Sequence, residues 1–224
     1  GDSSYLDYLS VREEATAFES LAAYREGAPV LLKHGDSIER LREMNVSPEL
    51  FSVLGLRAAQ GRLLGEADAA PGSAVAVISH GLWRRMFGGD PSVVGQDVTL
   101  NGRRVAIVGI APERFEGLNL GAAFDVFTPL DARLLTDRGS RLLSVVGRLR
   151  PEAELSQAQA QVAAIAERDG RAVHVLGALG APRARLVGER GAHVEGDGER
   201  LAHHAGSFTG SGAASSANLR MLRS

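Results

Sequence analysis

The stretch QDVTLNGRRVAIVGI, residues 96–110, predicts a β-hairpin. Asn101-Gly102 tolerates the positive φ angles of a type I′ turn, whose twist matches that of the two strands it joins. In this register Asp97 and Arg104 lie diagonally opposite each other with opposite charges, on the polar face of the hairpin. The other face carries the apolar side chains of Val98, Leu100, Val105 and Ile107. We therefore expect one face of this hairpin to belong to a hydrophobic core.

Outward from the hairpin, helix and strand signals are mixed along the chain. Ser3 or Ser4 can cap an amphipathic helix that runs to about Tyr24. The pair Ser156 and Gln159 has the capping-box spacing and predicts the start of a second helix. Shorter helices are expected at 49–54 and 81–87, and further strands at 29–33, 38–46, 74–78, 125–128, 142–149 and 172–176. The fold class that follows is α+β with mixed sheets and βαβ-like halves.

Composition narrows the classes of function. Lys and Arg number 25 against 27 Asp and Glu, so the net charge of −2 argues against a nucleic-acid partner. The absence of cysteine excludes disulfides, thiolate metal sites and cysteine nucleophiles. Apolar runs are much shorter than the roughly 18 residues that span a bilayer, so we expect the isolated chain to be soluble. An excised domain of a membrane protein would look the same.

The amino-acid composition changes towards the end of the chain. From about Gly188, glycine, serine, alanine, histidine and charged residues dominate. Such a segment buries too little apolar surface to offset the entropy of ordering it. The last predicted strand is 172–176, so we divide the chain into a folded part, residues 1–177, and a low-complexity, disordered tail, residues 178–224, in which the change of composition begins at about Gly188.

Catalytic and metal-binding patterns are weak. Ser79 and His80 place a hydroxyl beside an imidazole, but a triad also needs a third group and an oxyanion hole. His80 is read more simply as a polar residue capping the helix that follows. The histidines His193, His203 and His204 lack the spacing of zinc ligands, and the chain has no P-loop motif. We expect no catalytic residue, cofactor or metal, and keep as an alternative a small hydrolase-like enzyme that uses Ser79 and His80.

The loop at 111–123 is unusually apolar for a connector. Phe115, Leu118 and Leu120 either pack back into the core or form an exposed contact patch. Glycines and a proline deny this loop a regular helix or strand. We expect the segment 113–121 to be exposed, with these three side chains in contact with a partner or a second copy.

Four stretches of the sequence are informative through their order and spacing. They are SYLDYL (4–9) with FESLAAY (18–24), VSPELFSVLG (46–55) with QGR (60–62), VISHGLW (77–83) with FGGDP (87–91), and GRLRP (147–151) with the Ala- and Gln-rich segment after it. Together they resemble the MacB-like periplasmic core domain of FtsX-like ABC transporter permeases. The resemblance covers roughly residues 4–170.

The resemblance implies a domain between two transmembrane helices, on the extracytoplasmic (periplasmic) face of the cytoplasmic membrane. It implies a porter-like part and a smaller β-rich insertion, here roughly residues 35–110. The implied partners are an ATPase subunit, reached through transmembrane segments that flank the domain, and a second permease copy or a periplasmic protein. The implied function is to contact a partner or cargo and transmit ATP-driven motion, with no catalytic residues to carry over. A free-standing soluble binding protein is the other alternative.

Overall fold

The computed structural model describes residues 3–119, 122–131, 142–169, 174–179 and 218–219. The α-helices are α1 (Tyr5–Glu14), α2 (Leu50–Val53), α3 (His80–Phe87) and α4 (Leu155–Arg168), with 3₁₀ turns at Glu66–Asp68 and Pro91–Val93. The strands are β1 (Phe18–Glu26), β2 (Val30–His34), β3 (Ser37–Leu41), β4 (Glu43–Val46), β5 (Gln60–Gly61), β6 (Val75–Ile78), β7 (Asp97–Leu100), β8 (Arg103–Ile110), β9 (Val126–Pro129), β10 (Ser144–Leu149), β11 (His174–Leu179) and β12 (Asn218–Leu219).

These strands form one mixed sheet. Its order is β12-β11-β10-β1-β4-β9-β6-β8-β7-β2-β3, and β5 pairs with the second half of β8. The pairs β4–β9, β6–β8, β10–β11 and β11–β12 are parallel, and the other pairs are antiparallel. The predicted α+β class is confirmed. Strands from the expected insertion at 35–110 share this sheet with β1 and β10, and the boundary of the insertion stays a prediction.

The central hairpin forms in the predicted register. Val98 lies opposite Val105, and Asn101 adopts a φ of 48° in the turn. The Nε atom of Arg104 lies 2.8 Å from the Oδ2 atom of Asp97, which is the diagonal ion pair expected from the pattern. Local turn chemistry and cross-strand charge were sufficient to predict this element.

The predicted N-terminal helix is too long. Ser4 caps it as expected, with its Oγ atom accepting from the N–H of Asp7 at 3.2 Å, but α1 ends at Glu14. Phe18 to Glu26 is instead strand β1, a central strand buried on both faces. A strand buried on both faces loses its alternation of apolar and polar residues, so its apolar run resembles the apolar stripe of a helix.

The predicted capping box at the start of α4 is also wrong. The N-cap is Glu154, which makes no side-chain capping bond, and Ser156 lies inside the helix. The Ser156 hydroxyl donates to the Glu154 carboxylate at 3.3 Å instead of capping the backbone. The expected strand at 38–46 is likewise two strands, β3 and β4, separated at Arg42.

Three hydrophobic clusters cover the sheet. The helix core lies under α1 and α4 and includes Tyr8, Val11, Phe18, Leu21, Ala23, Val145, Val162 and Ile165. The aromatic core lies under α2 and includes Ala22, Tyr24, Phe51, Val77, Phe115, Phe124 and Phe127. The α3 core includes Leu32, Leu41, Ala76, Ile78, Leu82, Val98 and Ile107.

The sequence alternation of two strands shows how these cores are arranged. In β1, Leu21 belongs to the helix core and its neighbour Ala22 to the aromatic core. In β6, Val77 belongs to the aromatic core and Ile78 to the α3 core. Because successive side chains of a strand point to opposite faces, the helix core and the α3 core share one face. The aromatic core fills the opposite face.

The predicted tail falls almost wholly outside the described residues. Within 178–224 the structure describes the end of β11 and the short strand β12, which pairs in parallel with β11 at His174 and Val175. The boundary at 177/178 and the disorder expected beyond it stay predictions.

Candidate functional site

The stretch of sheet between the helix core and the α3 core carries polar side chains. Glu43 and Asn45 on β4 point to this face because they alternate with Met44 and Val46, which are buried in the aromatic core. The flanking strands add Arg25 from β1 and Thr128 from β9. We call these four side chains, Arg25, Glu43, Asn45 and Thr128, the polar ladder.

The ladder is a continuous chain of hydrogen bonds across three strands. The Nε atom of Arg25 donates to Oδ1 of Asn45 at 3.0 Å, and Nδ2 of Asn45 donates to Oγ1 of Thr128 at 2.9 Å. The Thr128 hydroxyl then donates to Oε1 of Glu43 at 2.7 Å. Asn45 is only 9% exposed, so these bonds satisfy polar groups that would otherwise be buried without partners.

The ladder lines a cleft of about 260 Å³. Its other walls come from the loop at 70–75, the β7–β8 turn and the end of β9. The side chain of Arg103 at the rim is exposed and forms no hydrogen bond or ion pair with the other described residues, whereas Asp131 has an interaction partner. With Arg25 and Glu43 the cleft offers two cations and two carboxylates, so it suits polar groups without favouring either sign of charge.

The sequence alone does not predict the ladder. Two features of the sequence could have indicated it: Asn45 stands between the apolar residues Met44 and Val46, and Arg25 follows the apolar run 21–24. Neither residue indicates a partner by itself, because the hydrogen-bonded pairs of the ladder are separated by 20, 83 and 85 positions in the chain.

The predicted contact patch does not form as expected. Phe115 is 1% exposed and packs in the aromatic core against Phe51 and Phe127, with ring centroids 5.8 and 5.2 Å away. The expectation that Phe115 is exposed is therefore wrong. Leu118 is half-buried against the same core, and Leu120 lies outside the described residues. Contact of this loop with a partner stays a prediction without Phe115.

Ser79 and His80 are placed by the start of α3. The Oγ atom of Ser79 accepts from the N–H of Leu82 at 3.0 Å, so Ser79, and not His80, is the N-cap. The His80 ring packs edge-on against Trp83, with centroids 5.1 Å apart. Within the described residues no hydrogen bond joins the Ser79 hydroxyl to the His80 imidazole. The geometry gives these two residues capping and packing roles.

Two further features concern ligands and membranes. In the ranges that the structure describes, no three His, Asp or Glu side chains converge as a metal site, and His193, His203 and His204 lie outside those ranges. None of the described helices combines the length and the apolar character needed to cross a bilayer.

Comparisons with known proteins place the chain in a family. A model of the MacB-like periplasmic core domain matches residues 2–165. No curated protein matches the chain significantly. Among solved structures, the periplasmic region of MacB from Actinobacillus actinomycetemcomitans is 16% identical, with a TM-score of 0.61 and 76% of each chain covered.

The extracellular domain of the noncanonic ABC-type transporter YknZ from Gram-positive bacteria is 14% identical, with a TM-score of 0.57. The match covers 76% of this chain and 86% of that one. At these identities the likeness concerns the fold, and the family rests on the sequence model, which spans most of the chain. The chain thus belongs to the MacB-like periplasmic core domains, which are periplasmic domains of ABC transporter permeases.

Proposed function

We propose that this domain contacts a partner or cargo outside the cytoplasmic membrane and transmits to it the motion that an ATPase subunit drives. The domain itself performs no catalysis. The observation that carries the proposal is one continuous sheet, from the strands packed on α1 and α4 to the hairpin of β2 and β3 at the far end. A continuous sheet carries a displacement because every strand is hydrogen-bonded to its neighbours.

Support for force transmission comes from the attachment of the N-terminal segment. Ser3 and Leu143 exchange two backbone hydrogen bonds, of 3.1 and 3.0 Å, immediately before α1 and β10 begin. At the other end of α1, Glu14 Oε1 accepts from Arg168 Nη2 of α4 at 2.9 Å. The Nη1 atom of Arg12 lies 3.4 Å from Oε1 of Glu49. Glu49 immediately precedes α2, which packs on the opposite face of the sheet. A displacement of α1 would therefore reach both faces of the sheet.

The polar ladder supports the same role at the centre of the molecule. It adds side-chain hydrogen bonds to the backbone pairing of β1, β4 and β9, at the place where the two cores on that face are separated by a cleft. Buried and satisfied polar networks specify one arrangement of the strands they join. The two halves of the sheet would then move as one body.

The test uses the whole permease together with its ATPase subunit. The chain has no cysteine, so a single cysteine at exposed Gln157 on α4 is its sole labelling site. Cysteines elsewhere in the permease and in the ATPase subunit are replaced before the spin label is attached. We expect the label-to-label distances between two permease copies to change when ATP binds, and not in a control with a hydrolysis- and binding-deficient ATPase subunit. Identical distance distributions with and without ATP would contradict the transmission of motion.

Catalysis is tested separately on the purified chain. We expect no esterase, peptidase or ATPase activity above that of a mock purification. The hydrolase alternative predicts activity that disappears in His80→Ala while the melting temperature stays unchanged. A loss of stability in His80→Ala without any activity to lose would agree with the packing of His80 on Trp83.

A further inference from the structure

The hairpin of β2 and β3 ends the sheet. Within the described residues β3 has β2 as its neighbour on one side and no strand on the other. Edge strands present unpaired N–H and C=O groups, and proteins commonly cover or charge them. The backbone groups and side chains that this edge exposes therefore determine what it can bind.

The pairing of β2 settles which backbone groups of β3 are free. The carbonyl oxygen of Leu31 accepts from the N–H of Asn101 at 2.9 Å, and the N–H of Leu31 donates to Oδ1 of Asn101 at 2.8 Å. Leu31 thus directs its backbone groups towards β7, away from its partner Arg40. Because this direction alternates along an antiparallel pair, the N–H and C=O groups of Ile38 and Arg40 point out of the sheet edge.

The side chains on one face of the hairpin form a mixed apolar and basic surface. Leu31 lies opposite Arg40, and Lys33 lies opposite Ile38, so these four share a face that we call the hairpin face. Leu31 is 52% exposed and Ile38 is 64% exposed, which makes them two of the three large exposed hydrophobic side chains of the described residues. In the same ranges Lys33 and Arg40 form no ion pair or side-chain hydrogen bond.

We propose that this edge binds an acidic, extended segment of a partner protein, which adds to the sheet as a strand beside β3. This proposal rests on the partner contact proposed above and names its location and chemistry. The main chain of the segment would bond to the free groups of Ile38 and Arg40. Only every second residue of the added strand lies on the side of the hairpin face. At these positions a carboxylate would pair with Arg40 or Lys33, and an apolar side chain two residues away would cover Ile38 or Leu31.

Charge argues against a second copy as the occupant. An antiparallel β3–β3 pair that overlaps along all of Ser37–Leu41 places Glu39 opposite Glu39 of the other copy, and like charges directly opposite are destabilising. Glu39 already pairs with Arg85 of its own chain at 2.6 Å. The cations of the hairpin face would also be duplicated and left without counter-charges.

Neither protection against aggregation nor contact with a membrane accounts for the whole surface. Cations on an edge strand protect against aggregation, which would explain Lys33 and Arg40 but not the exposure of Leu31 and Ile38. An anionic membrane surface would suit the cations and the apolar side chains but would leave the backbone groups of Ile38 and Arg40 unused. An acidic strand uses the cations, the apolar side chains and the backbone groups together.

The first experiment uses a capped peptide that repeats Glu-Thr-Val-Thr, which we call the Glu-Val peptide, because this spacing puts Glu and Val on the same face of a strand. Its binding to the full 224-residue chain is measured by calorimetry, with hydrogen exchange as a second readout. We expect the peptide to bind and to slow amide exchange at Ile38 and Arg40. A peptide that repeats Lys-Thr-Val-Thr should not bind. If the Glu-Val peptide fails to bind, or binds without protecting these two amides, the proposal is wrong.

Variants at the edge make the test specific. Ile38→Pro removes an N–H that faces away from β2, a position where an edge strand tolerates proline, and we expect it to weaken binding at least ~10-fold. Ile38→Ser keeps the N–H and should weaken binding less. Lys33→Glu combined with Arg40→Glu should abolish binding. Arg57→Glu combined with Arg84→Glu, at two exposed sites outside the hairpin face, makes the same change in net charge and serves as the matched control.

Other occupants would give different results. If the chain binds phosphatidylserine vesicles but does not bind the Glu-Val peptide, the surface is a membrane contact and the proposal is wrong. Self-association that Ile38→Pro abolishes, measured by light scattering, would assign it to a second copy and overturn the proposal as well. A failure here leaves the ATP-dependent spin-label distances of the whole permease unaffected, so the two proposals can fail independently.

Discussion

Tyr8 lies on α1 with its ring in the helix core. Its hydroxyl donates to the carbonyl oxygen of Leu21 and to Oε2 of Glu49, both at 3.4 Å. Burial, and next the negative charge of Glu49, raise the pKa of Tyr8 from 10.0 to about 12. Both causes act against the phenolate, because the folded protein surrounds it with apolar atoms and a like charge.

This shift predicts how stability depends on pH at the alkaline end. A tyrosine with a raised folded-state pKa contributes its full stabilisation below its unfolded pKa, near 10, and loses it as the pH rises through about 12. We expect Tyr8→Phe to reduce the fall in unfolding free energy between these pH values. The measurement is urea unfolding at several pH values, with Tyr5→Phe as the control. If the unfolding free energy of Tyr8→Phe falls between pH 10 and pH 12 as steeply as that of the wild type, the pH dependence does not come from Tyr8.

Phe115 leads to a second prediction at the scale of single residues. Because it is 1% exposed among aromatic rings, Phe115→Ala should lower the unfolding free energy by about 3–5 kcal/mol. Leu118→Ser, at a half-buried site three residues later, should cost clearly less. Chemical denaturation of both variants measures the difference. If both variants lose little unfolding free energy, and by the same amount, the burial of Phe115 is contradicted.

The hairpin of β7 and β8 shows how one turn can connect three strands. Asn101 has a positive φ of 48°, and its side chain also accepts the N–H of Leu31 in β2. One residue therefore provides both the turn geometry and a link to the neighbouring strand. Asparagine adopts this backbone region more readily than most residues that carry a side chain.

Substitution can separate these two contributions. Asn101→Gly keeps the backbone freedom and removes the hydrogen bond, so we expect a loss of about 1 kcal/mol in unfolding free energy. Asn101→Ala removes the hydrogen bond and adds backbone strain, for a further ~1 kcal/mol. Thermal or chemical unfolding of both variants is the measurement. Equal stability of the two variants would mean that the positive φ contributes nothing.

At the scale of the whole molecule, the three cores share one sheet. The helix core and the α3 core are separated on their face by the cleft, but the aromatic core spans the strands between them on the other face. Unfolding one side core would expose part of the aromatic core. We therefore expect the domain to unfold as a single cooperative unit.

Trp83 provides the test. It is the sole tryptophan, packs against the α3 core and donates its indole N–H to the carbonyl oxygen of Asp90 at 2.8 Å. Val162→Ala in the distant helix core should destabilise the fold by about 2 kcal/mol. The urea midpoint should fall equally by Trp83 fluorescence and by far-UV circular dichroism. A fluorescence midpoint that stays at the wild-type value would show that the cores unfold independently.

Local chemistry by itself determined several elements of this protein. The Asn101-Gly102 turn, the Ser4 cap of α1 and the Val98–Val105 register were predictable, because each depends on residues that are close in sequence. The order and spacing of short motifs also pointed to the family, which the match over residues 2–165 shows.

Tertiary structure decided the rest, because those features depend on contacts between distant residues. Whether Phe18–Glu26 is helix or strand depends on β4 and β10, which pair with it from both sides. Phe115 is buried because Phe51 and Phe127 reach it from other elements. The polar ladder, and the edge at β3 that no other described strand covers, likewise arise only when strands far apart in the chain meet in one sheet, and no local pattern encodes that meeting.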